Sequence, residues 1–178
     1  MRITVAGTFG PIHDGHRALF EQALWFGDDG VLIALTSDEL ATETCHASRP
    51  IPPFFERKRI VEETLTKLDK WGRDTECRKL TDELGIASPD PTIDALIVSP
   101  ETVAELKEIN NLRREQELTP ILGIIVPYIL AEDGERISST RIVKNEVDEQ
   151  TWNSPRVNVI VQLFPRLFCS INWLGSCM

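Results

Sequence analysis

Two histidines flank a dipeptide near the start of the chain, in Gly7-Thr8-Phe9-Gly10-Pro11-Ile12-His13-Asp14-Gly15-His16, and they are two of the three histidines in the whole sequence. Imidazoles three residues apart at a helix start can point the same way and donate hydrogen bonds to phosphate oxygens. The helix start itself offers unpaired backbone N–H groups and a partial positive charge, and Gly15 lets a phosphate approach the backbone closely. Gly7 closes the apolar run that precedes the loop, and Thr8 adds a hydroxyl beside the histidines. Taken alone, such a pair also describes a helix cap with one partly buried imidazole. Its place between a strand and a helix is what favours the phosphate reading.

A second segment of the same character lies far along the chain. In Arg136-Ile137-Ser138-Ser139-Thr140-Arg141 the hydroxyls of Ser138, Ser139 and Thr140 and the backbone N–H groups of a helix start can hold the outer phosphates of a nucleotide. Arg141 can neutralise charge that develops there. By itself this is a well-capped surface helix, since Ser and Thr are ordinary capping residues. With the histidine loop it forms a second jaw.

The elements needed to place these jaws follow from hydrophobic patterning. Strands are predicted at Ile3–Ala6, Val31–Leu35, Thr75–Leu80, Ala95–Val98 and Ile121–Val126. Helices are predicted over Gly15–Phe26, where Leu19, Leu24 and Trp25 form a core stripe, over about Phe55–Trp71, and from Ser99-Pro100-Glu101 to about Leu118. A last short helix begins at Ser138. Thr36-Ser37-Asp38 opens a turn or caps a short helix, and the proline-rich stretch from Ala41 to Phe54 reads as a loop. Strands alternating with helices at this spacing imply an α/β fold, a Rossmann-like doubly wound parallel sheet of five strands with helices on both faces. Ligands bind such sheets at the carboxyl ends of the strands, here the loops at Gly7, Thr36, Ser99 and Pro127.

Composition narrows the classes. The chain of 178 residues, 42% hydrophobic and 26% charged, fits one ordinary globular domain. A formal net charge of −9 argues against nucleic acid as a partner, because phosphate backbones are met by clustered Lys and Arg. The most apolar stretch, Val157–Leu174, is interrupted by Pro165, Arg166 and Asn172, so neither a membrane span nor a membrane partner is expected. The first residues lack a signal-peptide pattern, which makes the cytoplasm the expected compartment. Cys45, Cys77, Cys169 and Cys177 form no metal-binding or disulfide pattern. From Thr151 onward there is no Asp or Glu, and two of the four Trp and two of the four Cys appear. Residues 1–150 are therefore read as the working domain and 151–178 as a C-terminal tail of unassigned role.

Beyond these motifs stand Thr36-Ser37-Asp38-Glu39-Leu40, Ser99-Pro100-Glu101-Thr102 and the run from Glu108 to Glu115 that contains Asn110, Arg113 and Arg114. In this order, and over about Met1–Gln150, the set resembles the archaeal and eukaryotic type of phosphopantetheine adenylyltransferase, an HxGH nucleotidyltransferase. The resemblance implies that the phosphate of 4′-phosphopantetheine attacks the α-phosphorus of ATP with Mg²⁺ present, giving 3′-dephospho-coenzyme A and pyrophosphate. It also implies roles. His16 stabilises the transition state, His13 and Ser139-Thr140 hold the outer phosphates and Thr8 orients the reacting groups, with Gly7, Phe9, Gly15, Ser138 and Arg141 completing the ATP site. Thr36, Asp38, Arg49, Ser99, Glu101, Asn110 and Arg113 are its candidates for contact with the substrate. Mg²⁺ comes with ATP, and no protein side chain is assigned to it.

Two positions depart from the family pattern. Gly10 stands where GTFD is usual, and Glu43 stands where a basic residue usually follows the Thr36–Leu40 segment. Arg49, or one of Arg57, Lys58 and Arg59, is expected to supply the missing charge. Two other readings remain open at this stage: nucleotidyl transfer to another acceptor, such as nicotinamide or flavin mononucleotide, and a nucleotide binder with impaired catalysis.

Overall fold

The structure, a computed structural model, describes residues 1–44, 49–82, 84–148 and 160–162. Its order is β1 (Ile3–Gly7), α1 (Asp14–Phe26), β2 (Val31–Thr36), α2 (Asp38–Thr44), α3 (Phe54–Leu68), β3 (Thr75–Leu80), β4 (Ala95–Val98), α4 (Val103–Glu115), β5 (Leu122–Ile125), α5 (Ser139–Val143) and β6 (Ile160–Gln162). The expected five strands form a parallel array in the order β3-β2-β1-β4-β5. A sixth strand, not anticipated, pairs antiparallel with β5, Ile124 opposite Val161. Within the predicted tail 151–178, the described residues are those of this strand, and the question of the tail's role otherwise lies outside the described residues.

Strand alternation assigns the two faces. Ile3, Val5, Ile33, Leu35 and Ile97 pack with Phe20, Ala23 and Leu24 of α1 and Val61 and Leu65 of α3. Leu32, Leu96 and Val98 pack with Leu106 and Ile109 of α4. The sheet is thus covered on both sides, as continuous apolar strands require. β3 forms one edge, and its charged residues Glu76, Arg78 and Lys79 suit an edge that must not recruit another strand.

Four boundaries or placements differ from expectation for identifiable reasons. The short helix after Ser37, whose Oγ accepts the Leu40 N–H, runs on to Thr44, into the stretch from Ala41 expected to be loop. α4 begins at Val103 rather than near Ser99, because the Thr102 Oγ1 accepts the Ser99 N–H and the Thr102 N–H donates back to the Ser99 carbonyl, closing a separate turn. α3 stops at Leu68, where the Asp69 carboxylate takes the N–H groups of Trp71, Gly72 and Arg73, and Gly72 adopts φ 68°. Trp25 is not core: it is 60% exposed, its ring edge-on to Trp71 at 5.5 Å.

The strand order reverses direction between β1 and β4, since β2 and β3 lie on one side of β1 and β4 and β5 on the other. A crevice at the carboxyl ends of those two central strands is the geometric consequence.

Candidate active site

The crevice is real and measures about 360 Å³. It is lined by Ala6 and Gly7 at the end of β1, by Ile97 of β4 and Ser99 just after it, and by Val126 and Pro127 just after β5. His13, Gly15 and His16 make one wall, and Ser138, Ser139 and Thr140 another.

The histidine loop is shaped by contacts that explain its glycines. Phe9 sits at φ 47° and folds back so closely that a Cβ on Gly7 would lie 2.8 Å from its ring. Phe9 is 3% exposed, edge-on to His16 at 5.1 Å and tilted against Phe20 at 4.9 Å. It therefore supports His16 from beneath as well as lining the crevice. A Cβ on Gly15 would meet the His13 ring at 3.0 Å, so the glycine between the histidines makes room for an imidazole as much as for a ligand. The two rings stack with centroids 3.8 Å apart at 26°.

Both imidazoles have a buried Nδ1 without a hydrogen-bond partner among the described residues. Burial, then the charges of Arg17 and Arg49, lowers the His13 pKa from 6.5 to about 4. Burial, then neighbouring His13, holds His16 well below its ordinary value. At neutral pH the pair is uncharged, and His16 is also hydrogen-bonded to the backbone of Pro11.

Thr8 is oriented by a relay. The Arg57 Nη1 donates to the Thr36 Oγ1 at 3.2 Å and to the Thr8 carbonyl at 3.0 Å, and the Thr36 hydroxyl in turn donates to the Thr8 Oγ1 at 3.2 Å. The Thr8 hydroxyl proton is thereby left for another acceptor. Arg57 is fully buried and also donates to the Pro52 carbonyl at 2.8 Å and to Asp38 at 2.8 Å. Its chain lies 3.1 Å from where a Gly10 Cβ would be. Thr36 and Asp38 thus serve the loop's architecture, and neither they nor Thr8 line the crevice.

The second wall is fastened to the first. The Ser139 hydroxyl donates to the Pro11 carbonyl at 3.1 Å, while the Ser138 Oγ accepts the Arg141 N–H and caps α5. Arg141 itself does not line the crevice: its guanidinium pairs with Asp133 and Glu146 and donates to the Arg136 carbonyl at 3.0 Å. Arg141, expected in the ATP site, is thus placed outside the crevice, with its charge met by Asp133 and Glu146.

Of the remaining candidates, Arg49, Ser99 and Glu101 line the crevice. Arg49 donates to the Gly10 carbonyl and keeps a buried Nε without a partner among the described residues. Glu43, whose charge was the concern, lies exposed on α2 and is not among the lining residues. Asn110 and Arg113 are not brought to the crevice at all. Asn110 mimics a strand, its amide bonding the Ile121 N–H and C=O at 2.8 and 3.0 Å. Arg113 donates to the carbonyls of Thr119, Ala87 and Asp90. Both are buried pins for the α4–β5 connection. Sequence reasoning gave no role to Arg136 or Tyr128, which line the crevice, or to Pro11, whose carbonyl joins the walls. The position of Arg136 directly before the Ile137–Arg141 motif was the available signal.

Comparison with known proteins places this geometry. Residues 4–145 match the cytidylyltransferase-like family. A protein of Methanopyrus kandleri named phosphopantetheine adenylyltransferase is 37% identical over 83% of this chain and 91% of its own length. One of the same name from Archaeoglobus fulgidus is 35% identical over 83% of this chain and 96% of its own. A crystal structure of an Archaeoglobus fulgidus protein described as of unknown function superposes with a TM-score of 0.62 and 30% identity, covering 71% of this chain and 89% of that one.

Proposed function

The chain belongs to the cytidylyltransferase-like family, among relatives named phosphopantetheine adenylyltransferase, and from that premise we infer that it transfers the adenylyl group of ATP to 4′-phosphopantetheine. The products are 3′-dephospho-coenzyme A and pyrophosphate, a step of coenzyme A biosynthesis. The observation that carries the reading into chemistry is that His13 and His16 line one crevice together with Ser138–Thr140 at the switch point of the sheet.

The acceptor's phosphate oxygen attacks the α-phosphorus of ATP as the bond to pyrophosphate breaks. No covalent enzyme intermediate is needed. The demand is for in-line positioning and for donors aimed at charge growing on phosphate oxygens. His16, braced by Phe9 and stacked on His13, donates to the α-phosphate in the transition state. His13 and the Ser139-Thr140 segment hold the outer phosphates, and Thr8, which does not line the crevice, acts through the loop that the Arg57–Thr36 relay holds in place. Arg49 supplies positive charge at the histidine end.

Among the described residues no group of three or more His, Cys, Asp or Glu side chains is placed to hold a metal. We propose that Mg²⁺ would arrive on the triphosphate as part of the substrate, without a dedicated set of protein ligands. Bound there, it would neutralise the departing pyrophosphate. The working unit is residues 1–150. No described helix is long and apolar enough to cross a membrane, and the acidic balance disfavours nucleic acid; the cytoplasm is the compartment we assign.

The test is turnover of the purified full-length protein with ATP and Mg²⁺, offering 4′-phosphopantetheine, nicotinamide mononucleotide or flavin mononucleotide, with pyrophosphate and product mass followed. Dephospho-coenzyme A from the first acceptor alone is the expected result; product from another acceptor, or from none, overturns it. His16→Ala should lower kcat by about 10²–10³-fold, the scale of losing one transition-state donor. Intact turnover in that variant would remove His16 from its assigned role.

A further inference from the structure

Apart from the neutral histidines, two cationic side chains line the crevice among the described residues, Arg49 at the histidine wall and Arg136 at the mouth. A triphosphate and an acceptor phosphate together bring more negative charge than Arg49 alone can meet. Arg141, the arginine of the Ser138–Arg141 segment, is committed to Asp133 and Glu146. That leaves Arg136.

Its mounting is specific. The segment from Tyr128 to Ile137 folds into a tight hairpin, with Ile137 N–H donating to the Ile129 carbonyl at 2.9 Å and Ala131 N–H to the Glu135 carbonyl at 2.8 Å. Gly134 makes the turn at φ 82°, a left-handed conformation suited to glycine. Arg141 clasps the Arg136 carbonyl from outside the crevice. The Arg136 guanidinium then lies 5.2 Å over the Tyr128 ring, on the arm that continues into Ser138 and Ser139.

The Arg136 guanidinium is held by Glu101, which comes from the turn between β4 and α4. The two side chains are 45% and 54% exposed, so solvent screens the pair and leaves it weak. A carboxylate and a phosphate present matching oxygen pairs to a guanidinium fork. Glu101 also repels an incoming polyanion, so the two anions compete for one cation.

We propose that Arg136 is a ligand for an outer phosphate of the nucleotide and that Glu101 occupies its fork until the nucleotide enters. This rests on the reading that the crevice takes ATP. It gives the cleft a means of sensing the triphosphate: the carboxylate contact of Arg136 is exchanged for a phosphate contact.

The experiment is calorimetric titration of the full-length protein and its variants with Mg-ATP and with AMP, with folding checked by circular dichroism. Arg136→Ala should weaken Mg-ATP about tenfold, the worth of a hydrogen-bonded charge, and leave AMP within about twofold. Arg136→Lys should recover part of the loss. Glu101→Gln should tighten Mg-ATP about threefold, because the competitor is removed. A pair that merely ties two loops together predicts instead that Glu101→Gln and Arg136→Ala weaken binding alike, and that result overturns the proposal. So does an equal loss for AMP, which would place Arg136 at the inner part of the nucleotide. Turnover is measured separately on the unaltered protein. If it binds Mg-ATP with the Arg136 dependence described but makes no dephospho-coenzyme A, the acceptor assignment fails and this inference stands. If it binds no Mg-ATP, both fail.

Discussion

The Ser139 hydroxyl donates to the Pro11 carbonyl at 3.1 Å, joining residues 128 positions apart and locking the two walls of the crevice in register. Ser139 is buried at 8% exposure, so a lost hydroxyl would strand a carbonyl with little water to replace it. Ser139→Ala should cost about 1 kcal/mol of stability by urea denaturation. It should also lower kcat by roughly tenfold or more, because the donors on the two segments lose their spacing. Wild-type kcat with the stability loss would reduce the bond to a structural tie.

Arg57 carries the largest predicted stability effect. It is fully buried and serves the carbonyls of Pro52 and Thr8, the Thr36 hydroxyl and the Asp38 carboxylate. Arg57→Met keeps much of the volume and strands the two carbonyls and the Thr36 hydroxyl, a loss of about 3 kcal/mol or more at about 1 kcal/mol or more for each acceptor left without a donor. Asp38→Asn should cost about 1 kcal/mol or less, since the Asp38 side chain is 56% exposed and water replaces its charge. Equal costs in chemical denaturation would mean that the carboxylate, rather than the loop carbonyls, is what Arg57 holds.

The histidine pair should make the protein acid-sensitive. With the His13 pKa at about 4 in the folded chain against 6.5 in the unfolded one, the unfolded state binds the extra proton between those values. Stability is then fully present above the unfolded pKa and is lost as pH falls toward the folded one, by up to about 3 kcal/mol. His16, also lowered, acts in the same direction. Urea midpoints should drop between about pH 7.5 and about pH 5, and His13→Asn should flatten that drop. A variant with the wild-type pH slope would show that His13 does not set the acid limit and leave it to His16 and the carboxylates.

The strands were legible because a buried parallel sheet demands unbroken apolar runs, and Val31–Leu35 and Ala95–Val98 are such runs. The crevice was legible because a strand-loop-helix junction fixes where the histidine segment must lie. What the sequence hid is pairing at a distance. Nothing in the local pattern says that Asp133 and Glu146 will claim Arg141, or that Asn110 will bond the backbone at Ile121. Ser99-Pro100-Glu101 reads as a helix start, and only the Thr102 hydroxyl turning back to Ser99 defers it. Trp25 fits a helical stripe, yet the stripe's angular limit leaves it over Trp71 at the surface.

The replacement of a basic residue by Glu43 can now be tested against geometry. Glu43 is exposed on α2 and lines no part of the crevice, whereas Arg49, past the following loop, lines it and lends its charge to the electrostatics of both histidines. The guanidinium has one proton donor already engaged, to the Gly10 carbonyl, and a buried Nε still unserved among the described residues. A phosphate at the histidine wall would satisfy it. Arg49→Ala should therefore raise KM for ATP or 4′-phosphopantetheine by about tenfold or more, the worth of a charge-assisted hydrogen bond. Glu43→Gln should change KM for either substrate by less than about twofold, because a solvent-exposed charge outside the cleft is screened. If Glu43→Gln instead improves KM several-fold while Arg49→Ala does nothing, the carboxylate reaches the substrate after all. Arg49 would then be a loop anchor, and the cation at that wall would have to be sought in α3, where Lys58 and Arg59 follow Arg57.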